Sequence, residues 1–256
     1  MLRNLNYEKI IEKIVFFIKR KLNQSKAKGI VIGISGGVDS AVTAFLAVKA
    51  LGKERVLGLI LPYYENEEIK DAILVCNILG IEYKIISIKS IIEEFEKILG
   101  FDSNKIVKGN LMVRTRMVIL YSYANAKNYL VMGTSNRSEY LVGYFTKWGD
   151  GASDIAPLLN LYKTEIWEIA KKIGVPEKII QKKPTAGLWK NQTDEDELGI
   201  NYLILDQILH KMFDLKMKAD EISKKLNISL EQIEYVKNLV RKTIHKRKLP
   251  PSPKIF

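Results

Sequence analysis

The sequence predicts an α/β fold: an open, mostly parallel sheet with helices on both faces. Two observations carry that reading. From Gly29 to Met132, short and almost wholly apolar runs alternate with longer amphipathic ones, and strands that alternate with helices pair in parallel through right-handed crossovers. The short runs also lack the in–out alternation of a half-exposed strand, as a sheet covered on both faces requires. The 256 residues, 47% of them hydrophobic, supply a sizeable core. Without an internal repeat or a linker-like stretch, residues 1–256 read as one domain.

Ile10, Ile11, Ile14 and Ile18 recur at helical spacing, so residues 7–20 form an amphipathic first helix. Residues 30–34 (Ile-Val-Ile-Gly-Ile) are the first strand, and Ala41 to Leu51 is apolar over too long a stretch for anything but a helix. A second strand follows at 56–61. Ile69, Ala72, Ile73, Cys76 and Leu79 then mark one face of a helix. Tyr83–Ile88 is a third strand, 90–99 a helix, 110–127 a longer helix and Tyr129–Met132 a fourth strand. From Gly133 to Pro157 the periodicity is lost while polar and aromatic side chains accumulate, and a long loop of that kind is usually functional. Ile166, Ile169, Ala170 and Ile173 restore a helix, which Gly174-Val175-Pro176 stops. Residues 181–193 are irregular. Helices over about 195–212, 219–227 and 230–244 precede a Lys/Arg/Pro tail.

Lysine and arginine total 41 against 29 acidic residues, a formal charge of +12. That surplus fits nucleic acid, phosphate-bearing small substrates or a solvated surface equally. The single cysteine excludes a disulfide framework within the chain, and with only His210 and His245 beside Cys76 no structural zinc site is expected. Cys76, on an apolar helix face, reads as a core thiol. The apolar runs fall far short of the roughly 20 residues of a membrane span. The N-terminus lacks the apolar centre of a signal peptide, so a cytoplasmic protein without a membrane partner is expected.

The strongest chemical signal is Gly33-Ile34-Ser35-Gly36-Gly37-Val38-Asp39-Ser40, set between the first strand and its helix. Glycines let the backbone turn tightly and approach a ligand. The free N–H groups at the helix start suit an anion such as pyrophosphate. Asp39 is out of place in an anion cradle unless a divalent cation accompanies the phosphate. The Gly-Lys-Ser/Thr ending of a Walker-type loop and the Gly-x-Gly-x-x-Gly of a dinucleotide fold are both absent.

Ser-Gly-Gly-x-Asp-Ser resembles the loop of the ATP pyrophosphatases, which split ATP into AMP and pyrophosphate while activating an oxygen for attack. The middle of the chain narrows the resemblance. Arg114-Thr115-Arg116-Met117, Gly133-Thr134-Ser135-Asn136-Arg137-Ser138-Glu139 and Phe145-Thr146-Lys147-Trp148-Gly149-Asp150-Gly151 resemble the NAD synthetases. So do Tyr162-Lys163-Thr164-Glu165, Lys183-Pro184-Thr185-Ala186-Gly187-Leu188 and Asp194-Glu195 with Leu198-Gly199, and His245-Lys246-Arg247 supplies the end of the pattern.

What the resemblance implies is a two-step ligation: ATP adenylates the nicotinate carboxylate of deamido-NAD, and ammonia then displaces AMP to give NAD. It implies that residues Gly33, Ile34, Ser35, Gly36, Gly37, Val38, Asp39 and Ser40 bind ATP together with Thr134, Lys163 and Thr185. Asp39 and Glu139 would hold Mg²⁺, and Asp39 and Lys163 would be catalytic. Arg114, Lys147, Asp154, His245 and Lys246 would hold deamido-NAD. Taken singly, Glu139 and Lys163 read rather as solvated charges, Arg114 equally as a cation on an exposed helix face, and His245 as a complement to a helix dipole. Trp148 and Tyr144 read as packing residues.

Glutamine-using relatives make ammonia with a cysteine nucleophile on a further domain, and nothing here matches it, so ammonia, taken up free or delivered by a separate subunit, is the implied nitrogen source. A homodimer is implied, with 111–124 (Met112, Met117, Leu120, Tyr121) as a contact helix. Loops 183–194 and 245–256 are expected to order over the ligands. The resemblance is incomplete at Pro62-Tyr63-Tyr64-Glu65-Asn66, which lacks basic residues and glutamine. It is incomplete again at Gly187, where an aspartate is common, so no adenine contact is assigned in 62–70. Rival readings are a guanylate synthetase or tRNA-modifying ligase, against which the 143–154 string argues, and a nucleic-acid module. For the latter, the helices around Asn227-Ile228-Ser229 could pass for helix-turn-helix, yet such pairs are common packing units and no nucleic-acid partner is expected.

Overall fold

The computed structural model describes residues 2–65, 67–100, 104–253 and 255. Asn66, and Lys254 and Phe256 of the tail, lie outside the described residues. Among the described residues, β1 (Gly29–Gly33), β2 (Val56–Ile60), β3 (Glu82–Ile85) and β4 (Tyr129–Val131) form one parallel sheet in the order β3-β2-β1-β4. Ile30 of β1 stands opposite Val56 on one side and Leu130 on the other. The third strand ends earlier than its apolar run, although Ile86 and Ile88 still donate to Ile60 O and Pro62 O, each at 2.9 Å.

Side chains alternate across each strand, and the two faces are covered by different helices. Ile30 and Ile32 point into a core shared with α1 (Tyr7–Ser25), α2 (Val38–Leu51), α3 (Glu67–Leu79) and α7 (Lys163–Ile173). Val31, Leu57 and Leu59 point the other way, onto Ile92 of α4 (Lys89–Leu99) and Met112 of α5 (Lys105–Lys127). A third cluster joins α6 (Arg137–Val142), α10 (Tyr202–Leu209) and α12 (Leu230–Lys242) through Val142, Leu205 and Val236. The pair suggestive of helix-turn-helix, α11 (Ala219–Leu226) and α12, packs its fully buried Ile222 and Ile233 inward.

Two short helices, α6 and α8 (Glu177–Ile180), were not expected from periodicity, because a turn or two offers too few residues for one to show. The helix expected over 195–212 is two, α9 (Asp194–Leu198) and α10. Gly199, at φ +62°, ends the first, and the side chain of Asn201 caps the second by accepting Ile204 N–H. A π-helical turn, His210–Asp214, continues α10.

The strand order positions the site. The chain builds β1, β2 and β3 in one direction, then returns over the opposite face through α4 and α5 to add β4 on the free side of β1. The carboxyl ends of β1 and β4 lie where the strand order reverses, and this is the crevice in which open α/β sheets bind ligands.

Candidate active site

A cavity of about 510 Å³ opens at that crevice, between the loop after β1, the loop after β4, one face of α5 and residues 182–189. The β1 loop is held by its own hydroxyls. Ser35 Oγ accepts Gly37 N–H (3.2 Å), Ser40 Oγ donates to Gly37 O (2.9 Å), and the two hydroxyl oxygens lie 3.1 Å apart. Gly36 sits at φ +80°, and a Cβ there would stand 2.5 Å from the Glu68 carbonyl oxygen, so the start of α3 packs on a bare backbone. Glycine is required at this position on both counts.

Three helix starts converge beside this loop. Asp39 lies in the first turn of α2, Glu139 in that of α6 and Lys163 in that of α7. The Lys163 ammonium, its side chain only 3% exposed, pairs with Asp39 Oδ2 and lies 3.6 Å from Glu139 Oε1. Asn136, the capping residue of α6, accepts Glu139 N–H at 2.9 Å and turns its amide toward Asp39 Oδ1 at 3.3 Å. Burial opposes the charged amine, yet Asp39, Glu139 and Asp194 around it prevail and hold the ammonium above the ordinary lysine value. Burial, and then the charge of Asp39, push the Glu139 carboxyl up to about 8 against the pull of Lys163.

Two acids share one ammonium here, and Glu139 holds its proton well above the ordinary carboxylate range, so a further cation is needed for both to ionise, which tests the place as a cation site. Asp39 and Glu139 are hard oxygen donors beside a phosphate-type loop, which suits Mg²⁺, an ion usually held by one or two carboxylates and completed by substrate phosphates. Among the described residues no cluster of three or more metal-ligating side chains forms a ready-made cage. The residues therefore fit an ion that arrives with its phosphate rather than one held by protein alone.

Thr134, Thr185 and Lys246 also line the cavity. Thr185 Oγ1 accepts Gly187 N–H at 3.1 Å. Gly187 has φ +62°, a conformation that L residues disfavour, and a Cβ there would come within 2.8 Å of Glu68 Oε2, whose carboxylate end would have to move aside. Lys246 donates to Gly143 O and Phe145 O, each at 2.8 Å, and burial holds its amine below the ordinary value.

Arg114, Lys147, Asp154 and His245 lie outside the cavity lining, along its outer rim. Arg114 Nε donates to Lys147 O (3.3 Å), and Lys147 Nζ donates to His245 O (2.8 Å). Asp154 sits two turns of α5 away from Arg114, taking Val131 N–H (2.7 Å) and Tyr121 OH (3.3 Å). The residues expected to bind ATP are thus gathered in the crevice, and those expected to hold the dinucleotide, Lys246 apart, form a surface strip.

Several readings are corrected by this geometry. Trp148 is not a packing residue. It is 51% exposed at φ +63°, with Lys147 Nζ 5.0 Å from its ring centroid. Tyr144, by contrast, does pack, partly buried against the third cluster, and gives its hydroxyl to Glu197 Oε2 at 2.6 Å. The proposed contact residues of α5 point three ways: Met112 into the core, Met117 and Leu120 into the cavity, and Tyr121 to the rim beside the exposed Val118. Sequence reasoning also gave no role to Asp194, a buried cavity-lining carboxyl that takes the Tyr202 hydroxyl at 3.1 Å and is raised by burial. Its signals in the sequence were the family-like Asp194-Glu195 pair and its place as an acid at the first position of a capped helix.

An open parallel sheet with a glycine–serine loop and paired carboxylates at its switch point defines an α/β nucleotide-binding enzyme of the ATP pyrophosphatase type. The sequence fits a family model described as NAD synthase over residues 10–250, and the chain belongs to that family. It is 60% identical to the NH(3)-dependent NAD(+) synthetase of Thermococcus sibiricus over 99% of this chain and 100% of that one. To the enzyme of the same name from Methanocaldococcus jannaschii it is 50% identical, with both chains fully covered. Among solved structures, NMN synthetase from Francisella tularensis superposes with a TM-score of 0.88 at 38% identity, over 98% of this chain and 100% of that one. NH3-dependent NAD synthetase from Campylobacter jejuni, in complex with the nitrate ion, gives 0.83 at 35% identity over the same shares.

Proposed function

We propose that the protein is a cytoplasmic, ammonia-dependent NAD synthetase that amidates deamido-NAD at the expense of ATP. The observation that carries this reading is the grouping of the partly buried Asp39 and Glu139 around the buried Lys163 at the mouth of the β1 loop. Full-length similarity to ammonia-dependent synthetases supports it. A carboxylate is a poor electrophile, so its oxygen must first become a leaving group. The nicotinate oxygen attacks the α-phosphorus of ATP, the bond to the bridging oxygen breaks, and pyrophosphate leaves. Ammonia then adds to the acyl carbon, loses a proton and expels AMP.

In the first step charge accumulates on the departing pyrophosphate. Lys163, fixed by two carboxylates, is placed to meet it, and fixed charges aimed at developing charge act without reorganisation. The helix start at Val38 and the backbone of residues 35–37 form the cradle, and Thr134 and Thr185 offer hydroxyls. Mg²⁺ carried by Asp39 and Glu139 would supply charge neutralisation on the phosphates. We assign the outer strip, Arg114, Lys147, Asp154 and His245, with Lys246 at the cavity edge, to deamido-NAD. Cations serve its pyrophosphate and carboxylate, and Asp154 would take ribose hydroxyls. A strip lying on the surface rather than in the crevice suits a substrate covered by a second subunit, so a homodimer is part of the proposal.

The test incubates the protein with deamido-NAD, ATP, Mg²⁺ and ammonium and separates the nucleotide products. Glutamine replaces ammonium in one parallel reaction, nicotinate mononucleotide replaces the dinucleotide in another, and Asp39→Ala is the control. NAD with equimolar AMP, lost in the variant and absent with glutamine alone, is the expected result. The mononucleotide arm answers to the likeness to an NMN synthetase. Preferential amidation there would move the substrate to the mononucleotide, and AMP release without any amide would overturn the reading.

A further inference from the structure

We infer that Asp206 is a positioning residue for the amidation proposed above: its carboxylate ties the first turn of α6 to the first turn of α7 and thereby sets how Glu139 and Lys163 face each other. The inference rests on that functional reading for its consequence, and on hydrogen bonds alone for its geometry.

Asp206 sits in the apolar run of α10 and is fully buried. A carboxylate in such a place costs much free energy unless its oxygens are satisfied. Oδ1 accepts the Ser138 hydroxyl at 2.5 Å, and Oδ2 accepts Thr164 N–H at 2.9 Å. Ser138 Oγ in turn accepts Lys163 N–H at 2.9 Å. Ser138 immediately precedes Glu139, and Lys163 and Thr164 are the first two residues of α7. A closed set of bonds thus runs from α10 to the backbone of one catalytic residue and to the immediate neighbour of the other.

The need for an outside partner is local. The first N–H groups of a helix have no partner within it, and a Ser, Thr, Asp or Asn at the preceding position normally takes one. At α7 that position is Tyr162, whose phenol is committed to Asp214 Oδ2 at 3.1 Å. Asp206 and Ser138 fill the vacant role from other helices, and a carboxylate at a helix N-terminus is also favoured by the dipole. Asp206 touches none of the cavity, so it acts through Ser138 and α7 and not on substrate.

Asp206→Asn keeps the shape but replaces one of the two accepting oxygens with a donor. In the ligand-free protein we expect the Lys163 and Thr164 amides to exchange with solvent about tenfold faster or more, while the amides of β1 and β2 keep their protection. In steady state kcat for NAD falls about 10- to 100-fold, with KM for ATP and for the dinucleotide within about threefold of the parent. Ser138→Ala, which removes the shared hydroxyl with little change of volume, moves both readouts the same way. The double variant is no worse than the poorer single one, as members of one network require. Unchanged exchange at Lys163 and Thr164 in both variants would overturn the clamp. So would parental kcat in either folded variant, or kcat, KM and core protection deteriorating together. A parent protein that makes no NAD, but whose α7 amides respond as described, would remove the functional reading and leave the clamp standing.

Discussion

Glu139 Oε1 lies 3.6 Å from the Lys163 ammonium, and Asp39 holds the same ammonium from its other carboxylate partner position. Lysine here keeps two acids together and, in the proposed reaction, is the cation that meets the phosphates. Lys163→Met is expected to lower kcat by about 10²–10³-fold, the range seen when a positioned transition-state contact is lost. It is also expected to destabilise the free protein by about 3–5 kcal/mol, because a buried pair is broken. Steady-state kinetics and urea unfolding check the two halves, and a variant with parental kcat would remove Lys163 from the chemistry.

The raised Glu139 carboxyl makes stability depend on pH in a definite direction. Below the ordinary glutamate value, near pH 4, folded and unfolded chains both hold the proton and the group is neutral to folding. Between there and about 8 the unfolded chain releases its proton while the folded chain keeps it, so stability falls as pH rises and levels off above 8. Glu139→Gln removes that loss. The ligand-free variant should melt a few degrees above the parent at pH 8 and level with it near pH 4.5, while making no NAD. A melting difference that stays constant across this range would contradict the assignment.

Gly36→Ala places a methyl 2.5 Å from the Glu68 carbonyl oxygen and forces φ +80° on a residue that disfavours it. The strain is about 1–3 kcal/mol, and it falls on the loop itself. We expect KM for ATP to rise at least about tenfold, with a melting point lowered by several degrees. Parental ATP binding in this variant would show that the loop does not carry the phosphates.

Cys76 is fully buried against Gly58, and burial pushes its thiol up to about 12. A thiol without thiolate character is inert. Aromatic disulfide reagents should therefore leave the folded protein unlabelled and fully active, and Cys76→Ala should cost about 1 kcal/mol of stability with kcat unchanged. Loss of activity on labelling native protein would reopen a chemical role for the residue.

The parts of the site that could be read from the residues are those with a local cause. The β1–loop–α2 unit announces itself because glycines and serines interrupt an apolar strand and an apolar helix. Cys76 is legible because its helix has one apolar face. The faces of α5 are not, since apolar side chains surround that helix and only its neighbours decide that Met112 is core and Leu120 cavity wall. Nor is the role of Asp206 legible, although an acid inside Tyr202–Leu209 flags burial, because its partners come from Ser138 and Thr164 on other helices. The break at Gly199 was within reach: a glycine followed by Asn201 is a stop and a start, and a continuous apolar pattern obscured it.

The return of the chain to β1 has a consequence for how the molecule is made. Asn136 and Lys163 reach Asp39 from 97 and 124 residues further along the chain. Closing loops of that length is slow compared with forming any single helix or the β1–β2 pair. The β1 loop is thus synthesised early and stays without its partners until β4 docks and α7 has followed it. During refolding, circular dichroism should recover before NAD synthesis does, and a nascent chain halted ahead of Lys163 carries the whole Gly-Ser motif yet is no catalyst. Enzymatic turnover is in this sense a gauge of completed topology.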